Sequence, residues 1–168
     1  MNVRKAIVED SDSIVNLLQA TSDTNPITKN IPLDKKFLRS IIGNKGIDLE
    51  VFEINKKIVA CHLGFDKKII ETTKELKSNP LFAQILKEIL YDFTFLYGVF
   101  ALEDGQKDIH IKMMMMSYLD ETKKKTILTI IPDQGLENIK KQLLLFKFHE
   151  EKTAEILGSK YSIFELDN

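Results

Sequence analysis

The sequence has no tryptophan and only one cysteine in its 168 residues. No apolar run in it approaches the ~20 residues of a membrane span. The lone thiol, Cys61, excludes an internal disulfide. His62, His110 and His149 are scattered, so no Cys/His set stands at zinc spacing and no metal is expected. Charges interrupt residues 1–19, which leaves no apolar signal-peptide core. Neither sign of charge dominates: the formal net charge is −1, so neither nucleic acid nor an anionic membrane is an expected partner. There is no internal repeat, low-complexity tract or linker. These absences together predict a cytoplasmic chain.

What is present suits one globular domain spanning residues 1–168. The composition is 43% hydrophobic and 29% charged, which excludes general disorder. A chain of this size buries roughly 70% of the surface it exposes when unfolded. Residues 3–8 read as a short strand. The run Glu9-Asp10-Ser11-Asp12-Ser13 suits the positive end of a helix, whose apolar stripe is Ile14, Leu17 and Leu18. Residues 21–30, with Pro26, read as a loop. Residues 33–42 read as a second helix, stopped at Gly43. Alternation over 47–54 and a β-rich run over 58–65, around Asn55-Lys56-Lys57, predict an antiparallel hairpin.

Residues 69–77 fit no single pattern, whereas Asn79-Pro80 opens a helix with Leu81, Ile85, Leu86 and Ile89 on one side. The continuous apolar run 93–102 predicts a central strand buried on both faces. A helix over 109–124, a strand over 126–131 and a helix over 136–145 follow. Two strands, 146–152 and 160–166, joined through Gly158, close the chain. The helix between the strand ending at Leu102 and the strand after it makes those two parallel neighbours. The fold class is therefore α/β in the loose α+β sense: a mixed, mostly antiparallel sheet flanked by helices.

This element order resembles that of the GNAT acyltransferase superfamily, over nearly the whole chain. Val3-Arg4-Lys5-Ala6 with Glu9-Asp10, the hairpin Leu49 to Cys61, Val99-Phe100-Ala101-Leu102, Thr126 to Asp133, Lys147-Phe148 and Tyr161 to Leu166 are the stretches that carry the likeness. The family's most specific motif is Q/R-x-x-G-x-G/A, and its frame here is Gln106-Lys107-Asp108-Ile109-His110-Ile111. Only Gln106 agrees; isoleucine stands at both glycine positions. Such a motif binds the cofactor's pyrophosphate through backbone N–H groups at a helix N-terminus. Glycine allows close approach, and a β-branched side chain obstructs it. Residues 66–90, where the family usually has a short turn, form an insertion.

The resemblance implies an N-acyltransferase that uses acetyl-CoA or another acyl-CoA as cosubstrate and a small-molecule or protein amine as acceptor. It implies cofactor contacts at Phe100, Ala101, Leu102, Gln106, Lys107, Ile109, His110 and Ile111, in a split of the sheet beside Ala101. It names no catalytic acid here: the family's helix tyrosine is replaced by Leu143, Leu144 and Leu145. Glu103 and Asp104 stand where a base could sit, although paired acids before a turn are ordinarily solvated. His110 is expected as a capping or exposed histidine. Cys61 and His62 are strand neighbours that face opposite sides, one to the core and one to the surface, which excludes a Cys-His pair. Two of Met113 to Met116 are expected to pack on the sheet, and Lys123-Lys124-Lys125 to be a solvated helix end. The acceptor is expected against residues 21–30 and the second helix. Two other readings stand beside this one: a catalytically inactive CoA-sensing or protein-interaction module, and half of a homodimer joined through its final strands.

Overall fold

The structure, a computed structural model, describes residues 2–21, 34–102, 104–121, 126–132, 137–156 and 158–166. Among the described residues seven strands form one sheet in the order β1-β2-β3-β4-β5-β7-β6. They are β1 (Asn2–Lys5), β2 (Ile47–Ile54), β3 (Lys57–Asp66), β4 (Thr94–Ala101), β5 (Ile127–Pro132), β6 (His149–Ile156) and β7 (Ser159–Leu166). The helices are α1 (Ser11–Thr21), α2 (Lys35–Ile41), α3 (Lys67–Thr72), α4 (Lys74–Lys77), α5 (Pro80–Glu88), α6 (Lys107–Glu121) and α7 (Glu137–Leu145). β4 and β5 run parallel, as the intervening helix predicts. The chain divides into two compact units, Met1–Phe65 with Tyr97–Glu121, and Asp66–Leu96 with Thr122–Asn168.

In the first unit, β1 stops at Lys5, short of the strand expected over 3–8, and a 3-10 turn, Val8–Asp10, follows. Arg4 explains the turn. Its guanidinium reaches Asp10 at 2.7 and 3.0 Å and Glu53 at 2.9 Å, which folds the chain back onto β2. Asp10 also accepts the Ile7 N–H at 2.9 Å. Asp34 caps α2 by accepting the Phe37 N–H at 2.7 Å. The β2–β3 hairpin closes on two residues, Asn55 and Lys56, with φ 51° and 64°, since Ile54 pairs with Lys57. Both sit in the left-handed region that a type I′ turn requires. Alternation then sorts the side chains. Phe52 and Ala60 lie on the face toward α6 and join Val59, Ala101 and Met114 in a buried cluster. Leu49, Val51, Cys61 and Leu63, all buried, occupy the opposite face of β2 and β3.

In the second unit, the insertion holds three short helices, of which α3 and α4 fall on the ambiguous residues 69–77. Asn79 accepts the Leu81 N–H at 2.9 Å, and Pro80 takes the first helical position of α5. The Lys67 ammonium donates to the carbonyls of Ile89, Leu90 and Tyr91 at 3.3, 2.8 and 3.0 Å, tying down the chain after α5. Phe82 packs edge-on against Phe95, ring centroids 5.3 Å apart. β5 pairs antiparallel with β7 along its whole length, including Pro132, which lies within the strand and not beyond it. The closing strands are shifted from the sequence reading: β6 starts at His149, because the turn after α7 takes Phe146 to Phe148.

Candidate functional site

β4 carries Phe100 and Ala101 into a turn that ends at the first residue of α6, Lys107. The Leu102 N–H, one residue past the end of β4, donates to the Val59 carbonyl of β3 at 2.9 Å. Backbone groups alternate sides along a strand, so the Ala101 N–H and C=O face away from β3. Of the three strand residues expected at the site, Ala101 is thus the one whose backbone is directed outward from the β3 pairing. Phe100 is buried, and its ring lies over Gly98: a Cβ on that glycine would meet Phe100 Cζ at 2.7 Å. Here the absence of a side chain is a packing requirement.

The turn is organised by Asp104. Its own N–H donates to the Leu102 carbonyl at 2.9 Å. Its Oδ1 accepts the Gln106 N–H at 2.9 Å, and its carbonyl accepts the Lys107 N–H at 3.2 Å. The Gln106 carbonyl takes the N–H groups of Ile109 and His110 at 2.9 and 3.0 Å. Gln106, Asp108 and Ile109 are exposed and Lys107 is half-buried. Glu103 lies outside the described residues, as do Lys123, Lys124, Lys125 and the expected acceptor loop beyond residue 21.

The two isoleucines separate. Ile111 is partly buried and packs on the cluster of Phe52, Val59, Ala60, Ala101 and Met114. Ile109 is 54% exposed and stands at the mouth of the turn. Only one of the two β-branched side chains therefore remains near the helix start in a position to crowd an anion. His110 corrects the sequence reading: it is neither exposed nor a cap, but 2% exposed. Its ring meets Phe52 edge-on at 5.5 Å, and its Nδ1 is 3.8 Å from Asp104 Oδ1. Neither ring nitrogen has a hydrogen-bond partner among the described residues. An apolar position was required there by the helix period, and histidine fills it, which is why polarity alone misplaced it.

A second correction concerns His62, expected at the surface. It is fully buried beneath α6, its ring 4.8 Å from that of Tyr118. Its Nε2 is 3.3 Å from Asp48 Oδ1, which also receives the Lys5 ammonium at 2.8 Å. Lys5 reaches Glu50 at 3.3 Å, and Ser117 donates to Glu50 at 2.8 Å. Burial pushes the Asp48 carboxyl up, but His62 and Lys5 outweigh it and hold it below its ordinary value. Asp48 and Glu50 alternate with apolar residues, a pattern that reads as a solvated face; here a helix covers that face. Cys61 lies on the other side, and burial pushes its thiol up to about 12, so it is inert.

Other expected and candidate groups fall elsewhere. Met114 and Met115 are buried and Met116 is exposed, as a helix on a sheet dictates. On α7 Leu143 is buried, while Leu144 and Leu145 are exposed. Burial raises the Tyr97 phenol, and the Tyr91 hydroxyl bonds to Glu165. A cleft of about 220 Å³ lined by Lys5, Ala6, Gly43, Asn44, Ile47 and Leu49 contains none of the expected cofactor residues. No group of three His, Cys, Asp or Glu among the described residues could hold a metal ion.

The architecture is similar to that of solved N-acetyltransferases. An N-acetyltransferase from Staphylococcus aureus Mu50 superposes with a TM-score of 0.63 at 15% identity, over 99% of this chain and 100% of that one. A Drosophila melanogaster polyamine N acetyltransferase gives 0.67 at 11% identity, over 99% of each chain. Arabidopsis thaliana NAA60, solved in complex with acetyl-CoA, gives 0.65 at 10% identity, over 99% and 97%. The chain has the GNAT fold. No protein-family model matches it, and no curated protein matches it in sequence. The GNAT fold thus persists here with little of the sequence signal that ordinarily accompanies it. No helix among the described residues is long and apolar enough to cross a membrane.

Proposed function

We propose that this chain is a cytoplasmic N-acyltransferase of a single GNAT-type domain, residues 1–168, moving an acyl group from acetyl-CoA or a related thioester to an amine. The observation that supports it is the arrangement at the end of β4. The Ala101 N–H turns away from β3, α6 begins five residues beyond Leu102 at Lys107, and Ile111 is folded into the core. These residues fit the thioester's two needs, a backbone donor near the carbonyl and amide groups at a helix start for phosphate.

In the proposed reaction a neutral amine attacks the thioester carbonyl and the C–S bond breaks. Water or a nearby base takes the amine proton. The Ala101 N–H stabilises the oxygen as charge develops on it. Thiolate leaves without a tyrosine donor from α7, which makes the step slow but not forbidden. Phe100 positions the strand, Gln106 and Lys107 face the phosphates, and Ile109 and His110 border them. The acceptor is a small-molecule or protein amine held near α2 and residues 21–30. The polyamine N acetyltransferase among the solved neighbours makes diamines and polyamines sensible first acceptors.

A thermal melt with and without acetyl-CoA tests this reading. Ligand at 100-fold its dissociation constant should stabilise the native state by ~2.7 kcal/mol. A shift together with acyl transfer to at least one amine in a panel supports the enzyme. No shift at millimolar acetyl-CoA contradicts it. The rival reading, a GNAT-fold sensor or interaction module without catalysis, is favoured by one feature: Asp104 already holds the Gln106 amide. It predicts a shift, or none, with no transfer to any amine.

A further inference from the structure

Two groups at the start of α6 converge on a single oxygen. The Gln106 N–H donates to Asp104 Oδ1 at 2.9 Å, and His110 Nδ1 approaches the same atom at 3.8 Å. His110 is buried to 2% exposure, with no hydrogen-bond partner for either nitrogen among the described residues. A buried imidazole left unsatisfied costs stability that apolar packing does not demand. It makes sense where a ligand oxygen completes it. Asp104 itself is at the surface, its side chain 45% exposed, so it is able to swing away. Asp108 is exposed in the first turn and adds a second negative charge where an anion would arrive.

Resting on the acyl-CoA reading above, we infer that the Asp104 carboxylate is an internal occupant of the anion subsite. Its Oδ1 marks where a phosphate oxygen is received by the Gln106 amide and the His110 imidazole. Binding of a phosphorylated thioester carrier displaces the carboxylate. His110 then becomes a ligand of the phosphate, a role that falls to this side chain because its Nδ1 lies 3.8 Å from the displaced oxygen. Asp104 in turn sets the affinity: it competes for the same amide and repels the incoming charge. The subsite is thereby selective for ligands that bring a phosphate strong enough to exchange with a carboxylate.

Calorimetric titration of the full chain with CoA and with pantetheine, which carries no phosphate, tests this. Asp104→Ala should bind CoA about tenfold tighter, the equivalent of one charge-assisted hydrogen bond no longer in competition. Asp104→Ser keeps a cap without the charge and should fall between. His110→Asn should weaken CoA severalfold. Pantetheine affinity should be the same in all four proteins. CoA bound equally by wild type and Asp104→Ala, or pantetheine affinity changing in step with CoA, overturns the displacement and leaves the acyltransferase reading intact. Failure of every protein to bind either ligand overturns both.

Discussion

At the scale of single residues, two positions carry consequences that can be measured, and a third shows what the sequence leaves out. Gly98 leaves room for the Phe100 ring, and a Cβ there would sit 2.7 Å from Cζ. The ring is buried and has little space to retreat. Gly98→Ala should therefore cost about 1–3 kcal/mol in urea unfolding. Arg4 is the second case. Hydrogen bonds from its guanidinium depress the Asp10 carboxyl, against the opposing effect of burial and with help from the Ile7 N–H. A carboxyl depressed in the folded state stabilises above its unfolded value of about 3.9, and that contribution is lost as pH falls through the folded one. Arg4→Gln should lose about 1–2 kcal/mol at pH 7. The difference from wild type should shrink below about pH 4, read from urea midpoints against pH. His62 is the third case, and it marks a limit of legibility. Its alternation on β3 was visible, but the helix that covers Asp48, Glu50 and His62 was not. Sequence records which side chains share a face; it does not record what lands on that face.

At the scale of elements, boundaries were legible where local chemistry sets them. Asn79-Pro80 opens α5, Gly43, with φ 82°, follows the end of α2, and the hairpin spans β2 and β3. They were illegible where a distant residue decides. β1 is cut short because Arg4 pulls Asp10 and Glu53 together, 49 residues apart in sequence from Arg4 to Glu53. The end of α7 is another local case. Lys147 has φ 67°, in the left-handed region, and Phe148 N–H returns to the Leu143 carbonyl at 3.1 Å. That closure suits glycine, which adopts a positive φ without a Cβ penalty. Lys147→Gly should stabilise the chain by about 1 kcal/mol, seen as a higher urea midpoint. The insertion also behaves as an element with its own fastener. Lys67→Met removes the ammonium from the three carbonyls after α5. It should speed amide exchange in 80–91 more than in β5 or β7, since local openings follow lost local bonds.

At the scale of the molecule, the order of elements was enough to anticipate the fold. The parallel β4–β5 pair and the mostly antiparallel sheet follow from pattern and spacing, while the insertion stands out only against the resemblance. The degenerate motif was less transparent. Two isoleucines in place of glycine read as two obstructions, yet Ile111 belongs to the core and only Ile109 faces outward. Helical phase separates them, and phase is known only once the helix start is fixed at Lys107. The sheet's β6 edge bears Glu150, Glu151 and Glu155, all exposed. Charge on an edge strand opposes pairing with a second copy. The chain should therefore run as a monomer in analytical ultracentrifugation, and a dimer that persists at low micromolar concentration would restore the third reading.

The most direct check on the central claim is a backbone amide spectrum recorded as acetyl-CoA is added. Binding at the end of β4 and the start of α6 predicts saturable shifts at Ala101, Gln106, Ile109 and His110, with β6 and β7 little changed. Shifts confined to other elements, or none at millimolar ligand, would contradict it.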